Sequence, residues 1–335
     1  MTDSTRIYVA MRSQEFQRLF DESAQAALHR LGTVEFAPDA DRTVVPHTAG
    51  DRYDVLVTSW STAPFSATAV RGGRLRLAVH AAGSVRKLFP PELLDGDLRL
   101  CQGGAAPMAV AVAEMSVTLT LMLLRNVQIH DRGLQTTRDW QRSGHGMLGH
   151  GVHGRRIGVV GLSRVGQAYV RMITGLGGQG VRAYDPYASA GSAADLGVEL
   201  TGLDDLCRTS DVLAVCAPAT PQTHHLVGAD QLRLLPTDAV LVNAGRSALV
   251  DQEALTAELV SGRIRAGLDV FDAEPLPAEH PLYGLENVVL TPHVAGGTVE
   301  ARFGQGAEVV AEISRFLRGE DLEHEVTQAI YNRLA

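Results

Sequence analysis

Short apolar runs separated by helix-length segments restrict the fold of this chain more than any other feature. Between residues 157 and 293 they follow one another as IGVVG at 157–161, VRAYD at 181–185, VLAVCAP at 212–218, AVLVNAG at 239–245, AGLDVF at 266–271 and NVVLTPH at 287–293. Runs that are apolar throughout, rather than alternating, suit strands covered by helices on both faces, and the segments between them return each strand parallel to the last. An earlier series has the same rhythm: IYVA at 7–10, TVEFA at 33–37, DVLVTS at 54–59, LRLAVHA at 75–81 and LRLCQ at 98–102. From Phe16 to Leu31, the residues Leu19, Phe20, Ala24, Ala27, Leu28 and Leu31 fall near helical spacing and predict one crossover helix. Two doubly wound parallel-sheet domains are therefore expected, and 335 residues suit two domains of ordinary size.

Composition removes several classes of function. With 38 acidic against 30 basic residues the net charge is −8, which disfavours a phosphate-binding surface for nucleic acid. The three cysteines, Cys101, Cys207 and Cys216, are too few and too scattered for a disulfide framework or a four-cysteine zinc site, so a reducing, cytoplasmic setting is expected. The N-terminus MTDSTRIYVAM lacks the basic start and long apolar stretch of a signal peptide. Ala105 to Leu124 is apolar and nearly long enough to span a bilayer, yet Glu114 in its middle would cost roughly 2.5 kcal/mol or more there. It is read as a buried helix rather than a membrane span. His145, His150 and His153 lie among glycines without an acidic or cysteine cluster to complete a shell, and no metal is expected.

A chemical motif follows the strand IGVV. Gly161-Leu162-Ser163-Arg164-Val165-Gly166 opens a helical run, the arrangement that turns backbone N–H groups and a helix N-terminus toward a pyrophosphate. Asp185 ends the next strand, 24 positions after Gly161, where a carboxylate binds the two ribose hydroxyls of NAD and repels a 2′-phosphate. Arg182, three residues earlier, is a nearby cation that can turn to such a phosphate. Ser163 stands where the usual motif has its second glycine. Its side chain crowds the closest approach of the pyrophosphate, and its hydroxyl is a candidate donor to a phosphate oxygen.

The runs SDVLAVCAPATPQTHHLV, LVNAGRSALVDQEAL, AGLDVFDAEPLP and VVLTPHVAGG occur in that order between Asp211 and Gly297. Together they resemble the signature of the D-isomer-specific 2-hydroxyacid dehydrogenases, a resemblance that covers the chain from about Leu75 onward. It implies a flavodoxin-like substrate domain made of 1–107 and 298–335, a Rossmann NAD domain over 108–297, and an active site in the cleft between them. It also implies a homodimer and the interconversion of a 2-keto acid and a D-2-hydroxy acid. Carried over by position, Arg246 is the substrate-binding arginine, Glu274 the acid partner and His293 the general acid/base. The chemistry needs these types: reduction puts a hydride on the carbonyl carbon and a proton on its oxygen. A cationic fork must then hold the carboxylate while a proton donor faces the oxygen. Glu274 beside the imidazole would stabilise the imidazolium and fix the ring.

The resemblance further assigns Asp269 to the nicotinamide carboxamide, places Ala217, Pro218, Thr223, Ala244 and Ala295 along the cofactor, and gives the substrate carboxylate to the backbone of Ala82, Gly83 and Ser84. Where relatives carry an acid after that loop, this chain has Val85 and Arg86, and Arg86 is a candidate for a second anionic group on the substrate. Met11 and Arg12 are candidate pocket residues. His224-His225 takes a position where the family has similar polar residues, and Trp140 one where some relatives reach a neighbouring subunit's site. Two alternatives stay open: a corepressor-like protein that binds NAD(H) as a signal, and a family dehydrogenase for phosphite or a phosphonate-bearing hydroxy acid.

Overall fold

The computed structural model describes residues 4–332. It divides into two compact units, one of residues 4–108 with 297–332 and the other of 109–296.

The first unit holds five parallel strands, β1 (Arg6–Ala10), β2 (Thr33–Phe36), β3 (Val55–Thr58), β4 (Leu77–His80) and β5 (Arg99–Gln102), in the order β2-β1-β3-β4-β5. That order is the flavodoxin-like one, with its reversal between β1 and β3. Every residue of β3 and β4 is buried, as strands covered on both faces require. On one face Val309 and Ile313 of the helix Val299–Leu317 pack with Ile7, Val9, Val55 and Val79. The last described residues then pair with β5: the Gln102 N–H donates to the His324 carbonyl at 3.0 Å and the Val326 N–H to the Leu100 carbonyl at 2.7 Å.

The single crossover helix expected over 16–31 is two helices, Ser13–Leu19 and Glu22–Leu31. Asp21 makes the break, because its carboxylate accepts the Ala24 N–H at 2.8 Å and so caps a new start. Apolar spacing carries across the break because Leu19, Phe20, Ala24 and Leu28 all enter the same core.

The second unit has seven parallel strands: β6 (Ile157–Val160), β7 (Arg182–Tyr184), β8 (Glu199–Leu200), β9 (Val212–Val215), β10 (Val240–Asn243), β11 (Arg265–Leu268) and β12 (Val288–Leu290). Their order, β12-β11-β10-β9-β6-β7-β8, reverses between β6 and β9, the place where a doubly wound sheet takes its ligand. β8 has two residues, too few for an apolar run to show. The helix Ala105–Leu124 forms over the expected residues and is long and apolar enough to cross a bilayer. About half of it is buried, with Ala113, Val117, Leu119 and Leu123 in one cluster with Ile157, Val159 and Val240, while Glu114 is exposed. Leu119 packs so tightly on β11 that a Cβ at Gly267 would meet it at 2.8 Å.

Candidate functional site

The turn after β6 has no room for side chains at its two glycines. Gly161 has φ +91°, and a Cβ there would lie 2.5 Å from the Ala217 Cα; one at Gly166 would lie 2.1 Å from the Gly161 carbonyl oxygen. This cradle, opening onto the helix Arg164–Gly175, fits a dinucleotide's pyrophosphate. Val165 packs against the core, whereas Arg164 is exposed in the helix's first turn, where a cation gains from an anion but not from the helix. Ser163 departs from the expected role. Its hydroxyl donates to the Cys216 carbonyl at 2.6 Å and accepts the Gly166 N–H at 3.4 Å, so it caps the helix and is not turned out to a phosphate.

Asp185 ends β7 beside this turn. One carboxylate oxygen accepts the Leu162 N–H at 2.7 Å and the other the N–H groups of Tyr187 and Ala188 at 2.8 and 3.2 Å. It borders a hollow of about 520 Å³ with Leu162, Gln167, Arg171 and Ser192. Arg182 is engaged elsewhere: it donates to Thr201 and Thr209 at 2.9 Å each and pairs with Glu199 at 3.3 Å. Near Ala217, Thr223 donates to the Pro218 carbonyl at 2.7 Å and accepts the Thr220 N–H, which stiffens the loop after β9.

Beyond the ends of β10, β11 and β12 the remaining groups assemble. The Nδ1 of His293 lies 2.7 Å from Oε2 of Glu274, whose Oε1 accepts the Phe271 N–H at 3.0 Å. Burial pushes the Glu274 carboxyl up, but the bonds from His293 and Phe271 and the charge of Arg246 outweigh it and hold the group below the usual carboxylate range. An ionised acceptor requires the proton on Nδ1, which leaves Nε2 of His293 as the working atom. Both side chains keep access to solvent, at 49% for His293 and 37% for Glu274. An apolar hollow of about 530 Å³, lined by Phe271, Leu276, Tyr283 and Leu290 among others, adjoins the pair.

Arg246 follows Ala244, which is buried at the end of β10. Asn243 holds its backbone, donating to the Arg246 carbonyl at 2.9 Å and accepting the Gly245 N–H at 3.2 Å. The guanidinium donates to the Gly245 carbonyl at 2.7 Å. Burial lowers its pKa against the raising effect of Glu274.

Asp269 is wholly buried, and its carboxylate accepts Thr291 Oγ1 at 2.5 Å, the Val294 N–H at 3.0 Å and the Ala295 N–H at 2.8 Å. The resemblance gives Asp269 to the nicotinamide; the structure finds it fastening the loop that carries His293. That loop needs fastening, because His293 has φ +53°, a left-handed conformation uncommon outside glycine.

In the first unit Ala82, Gly83 and Ser84 follow β4, and His80 supports them from below. His80 is buried, 2.9 Å from Thr58 Oγ1 through Nδ1, and hydrogen-bonded to the Ser84 backbone; burial pulls its pKa down to about 4. Sequence reasoning missed it, although a histidine ending a buried strand next to a ligand loop was a visible signal. Arg86 stacks on the Tyr331 ring at 5.4 Å. Met11 is buried core, so it lines no pocket, and Arg12 begins the helix Ser13–Leu19. Trp140 is 65% exposed with its ring 5.8 Å from that of His145, and His224 stacks on His225 at 4.0 Å. Among the described residues no group of histidine, cysteine and acid side chains is placed to hold a metal.

Comparison with known proteins bears on this geometry. Residues 117–295 match the family model described as D-isomer specific 2-hydroxyacid dehydrogenase, NAD binding domain. A D-3-phosphoglycerate dehydrogenase of Methanocaldococcus jannaschii is 32% identical over 307 residues, 91% of this chain and 57% of that protein. A glyoxylate reductase of Korarchaeum cryptofilum is 39% identical over 222 residues, 65% of this chain and 66% of that protein. The chain thus spans little more than half of the first relative and just under two thirds of the second. Among solved structures, D-2-hydroxyisocaproate dehydrogenase superposes with a TM-score of 0.80 at 24% identity, covering 96% of this chain and 99% of that one. The D-mandelate dehydrogenase of Rhodotorula graminis gives 0.82 at 22% identity, covering 96% and 97%. At those identities the two structures speak for the fold.

Proposed function

Because this chain belongs to the D-isomer specific 2-hydroxyacid dehydrogenase family, with its second unit the family's NAD binding domain, we propose that it reduces a 2-keto acid to a D-2-hydroxy acid with NADH. The observation that carries this reading is the His293–Glu274 pair at 2.7 Å, set with Arg246 beyond the ends of adjacent strands of the nucleotide unit. The turn Gly161–Gly166 and Asp185 would hold the dinucleotide, which supplies the hydride. Protonated His293 gives its Nε2 proton to the carbonyl oxygen as that oxygen gains charge, and Glu274 stabilises the imidazolium until then. In this reading the Arg246 fork holds the substrate carboxylate and polarises the carbonyl. In the reverse direction neutral His293 takes the hydroxyl proton.

NADH is the preferred cofactor in this reading, since Asp185 faces a 2′-phosphate with like charge and Arg182 is tied to Glu199, Thr201 and Thr209. A homodimer is part of the same proposal. Val127, Leu134, Trp140, Met147 and Leu148 lie exposed along one stretch of chain, an apolar surface that a second copy would cover.

Loss of NADH absorbance with a panel of 2-keto acids tests the assignment, with NADPH as the poorer cofactor. His293→Ala should lower turnover about 100 to 10,000-fold while NADH still binds. Binding of NADH without turnover of any keto acid would overturn the dehydrogenase in favour of a nucleotide-sensing protein.

A further inference from the structure

Arg302 is a cation that the fold places at a disadvantage. It lies in the first turn of the helix Val299–Leu317, near the positive end of the helix dipole, where acids stabilise and bases do not. It is partly buried, which lowers its pKa, and among the described residues no carboxylate lies within ion-pair distance of it. Glu15 is the acid whose charge reaches it, and the Glu15 carboxylate accepts the Ser61 N–H at 3.3 Å. A partly desolvated guanidinium that no carboxylate meets in an ion pair contributes little to a fold, so its placement calls for another explanation.

Two contacts hold it. Its guanidinium carbon lies 4.3 Å from the centre of the Trp60 ring, and Nη1 donates to Oε1 of Gln305 at 3.2 Å. Gln305 is wholly buried and passes the link on, donating from Nε2 to the Ala81 carbonyl at 3.1 Å. Ala81 leads directly into Ala82, Gly83 and Ser84. Trp60 belongs to the turn after β3, pinned where the Ser59 N–H donates to Thr62 Oγ1 at 2.9 Å and Thr62 Oγ1 to the Ala10 carbonyl at 2.5 Å. Trp60 is 43% exposed. The guanidinium is therefore oriented by Trp60 and Gln305, has no ion-pair partner among the described residues, and stands one hydrogen-bonded residue from the loop assigned to the substrate carboxylate.

We infer that Arg302, propped on Trp60 and held by Gln305, recognises a second anionic group on the substrate, a 2-keto acid whose side chain ends in a carboxylate or a phosphate. A planar guanidinium matches either group with paired hydrogen bonds. The inference rests on the keto-acid reading and names the substrate class for that same site.

The test is kcat/KM with NADH for oxaloacetate and 2-ketoglutarate, for 3-phosphohydroxypyruvate, and for the monoanionic 2-oxovalerate. One of the doubly anionic arms should exceed 2-oxovalerate in the wild type, and which arm does so separates carboxylate from phosphate. That ratio should fall about 10 to 150-fold in Arg302→Met, the loss expected for a charge-assisted hydrogen bond, and be largely kept in Arg302→Lys. A ratio taken within one variant does not depend on how much of it folds. A ratio unchanged in Arg302→Met, or a wild type that prefers 2-oxovalerate, overturns the inference and leaves the dehydrogenase standing. Absence of turnover with every keto acid overturns both.

Discussion

Glu274 and His293 meet at 2.7 Å, and in the proposed reaction the pair's pH behaviour follows from the carboxylate. Glu274 is held below the usual range, so it is anionic through neutral pH and its partnership with the imidazole is lost only as pH falls through that lowered value. Reduction needs the imidazolium, which the Glu274 anion favours. In Glu274→Gln the negative partner of the imidazole is gone. kcat/KM for keto-acid reduction should accordingly fall about 10-fold or more, the loss expected for a charge-assisted hydrogen bond; a value unchanged in Glu274→Gln would show that the two groups do not act together. Both residues were legible in the sequence through the DAEP and TPH runs. The left-handed backbone of His293 was not, because φ follows from the bonds that Asp269 makes to the loop, 22 and more positions along the chain.

At the scale of the element, the β6 turn and its helix show how one serine takes on a different duty from the one its motif suggests. Ser163 caps the helix Arg164–Gly175 and ties it to Cys216 at the end of β9. Ser163→Ala should therefore destabilise the protein by about 0.5–2 kcal/mol, the usual loss of an N-cap, while the Kd for NADH changes less than tenfold. A large loss of NADH affinity with unchanged thermal stability would instead put the hydroxyl on the phosphate. The strand positions were readable because apolar runs are local signals. The break at Asp21 carried a local signal too, an N-cap acid followed by Glu22, but uninterrupted apolar spacing concealed it.

At the scale of the whole molecule, buried His80 links stability to pH. Its imidazole is held near 4 by burial, against 6.5 for the free side chain. Between those values the unfolded chain binds a proton that the folded one refuses, so stability declines as pH drops through the window, by roughly 1.4 kcal/mol per pH unit. Denaturant unfolding from pH 6.5 to 4 should show this decline, less steep in His80→Gln; equal slopes in the two proteins would exclude the linkage. His80 also marks the division between what the two levels of description decide. Strand rhythm, the glycine turn with Asp185, and the residue types Arg246, Glu274 and His293 are written in the sequence, because a parallel sheet and a dinucleotide impose short-range patterns of apolar, small and charged residues. Which groups face one another is decided by the tertiary structure: Thr58 meets His80 across neighbouring strands, Asp269 closes on Thr291, Arg182 turns to Thr201 and Thr209, and Arg302 lies on Trp60. The physical reason is that a side chain's charge state and hydrogen-bond partners depend on burial and on atoms brought near by the sheet order, and neither is a property of neighbouring residues in the chain.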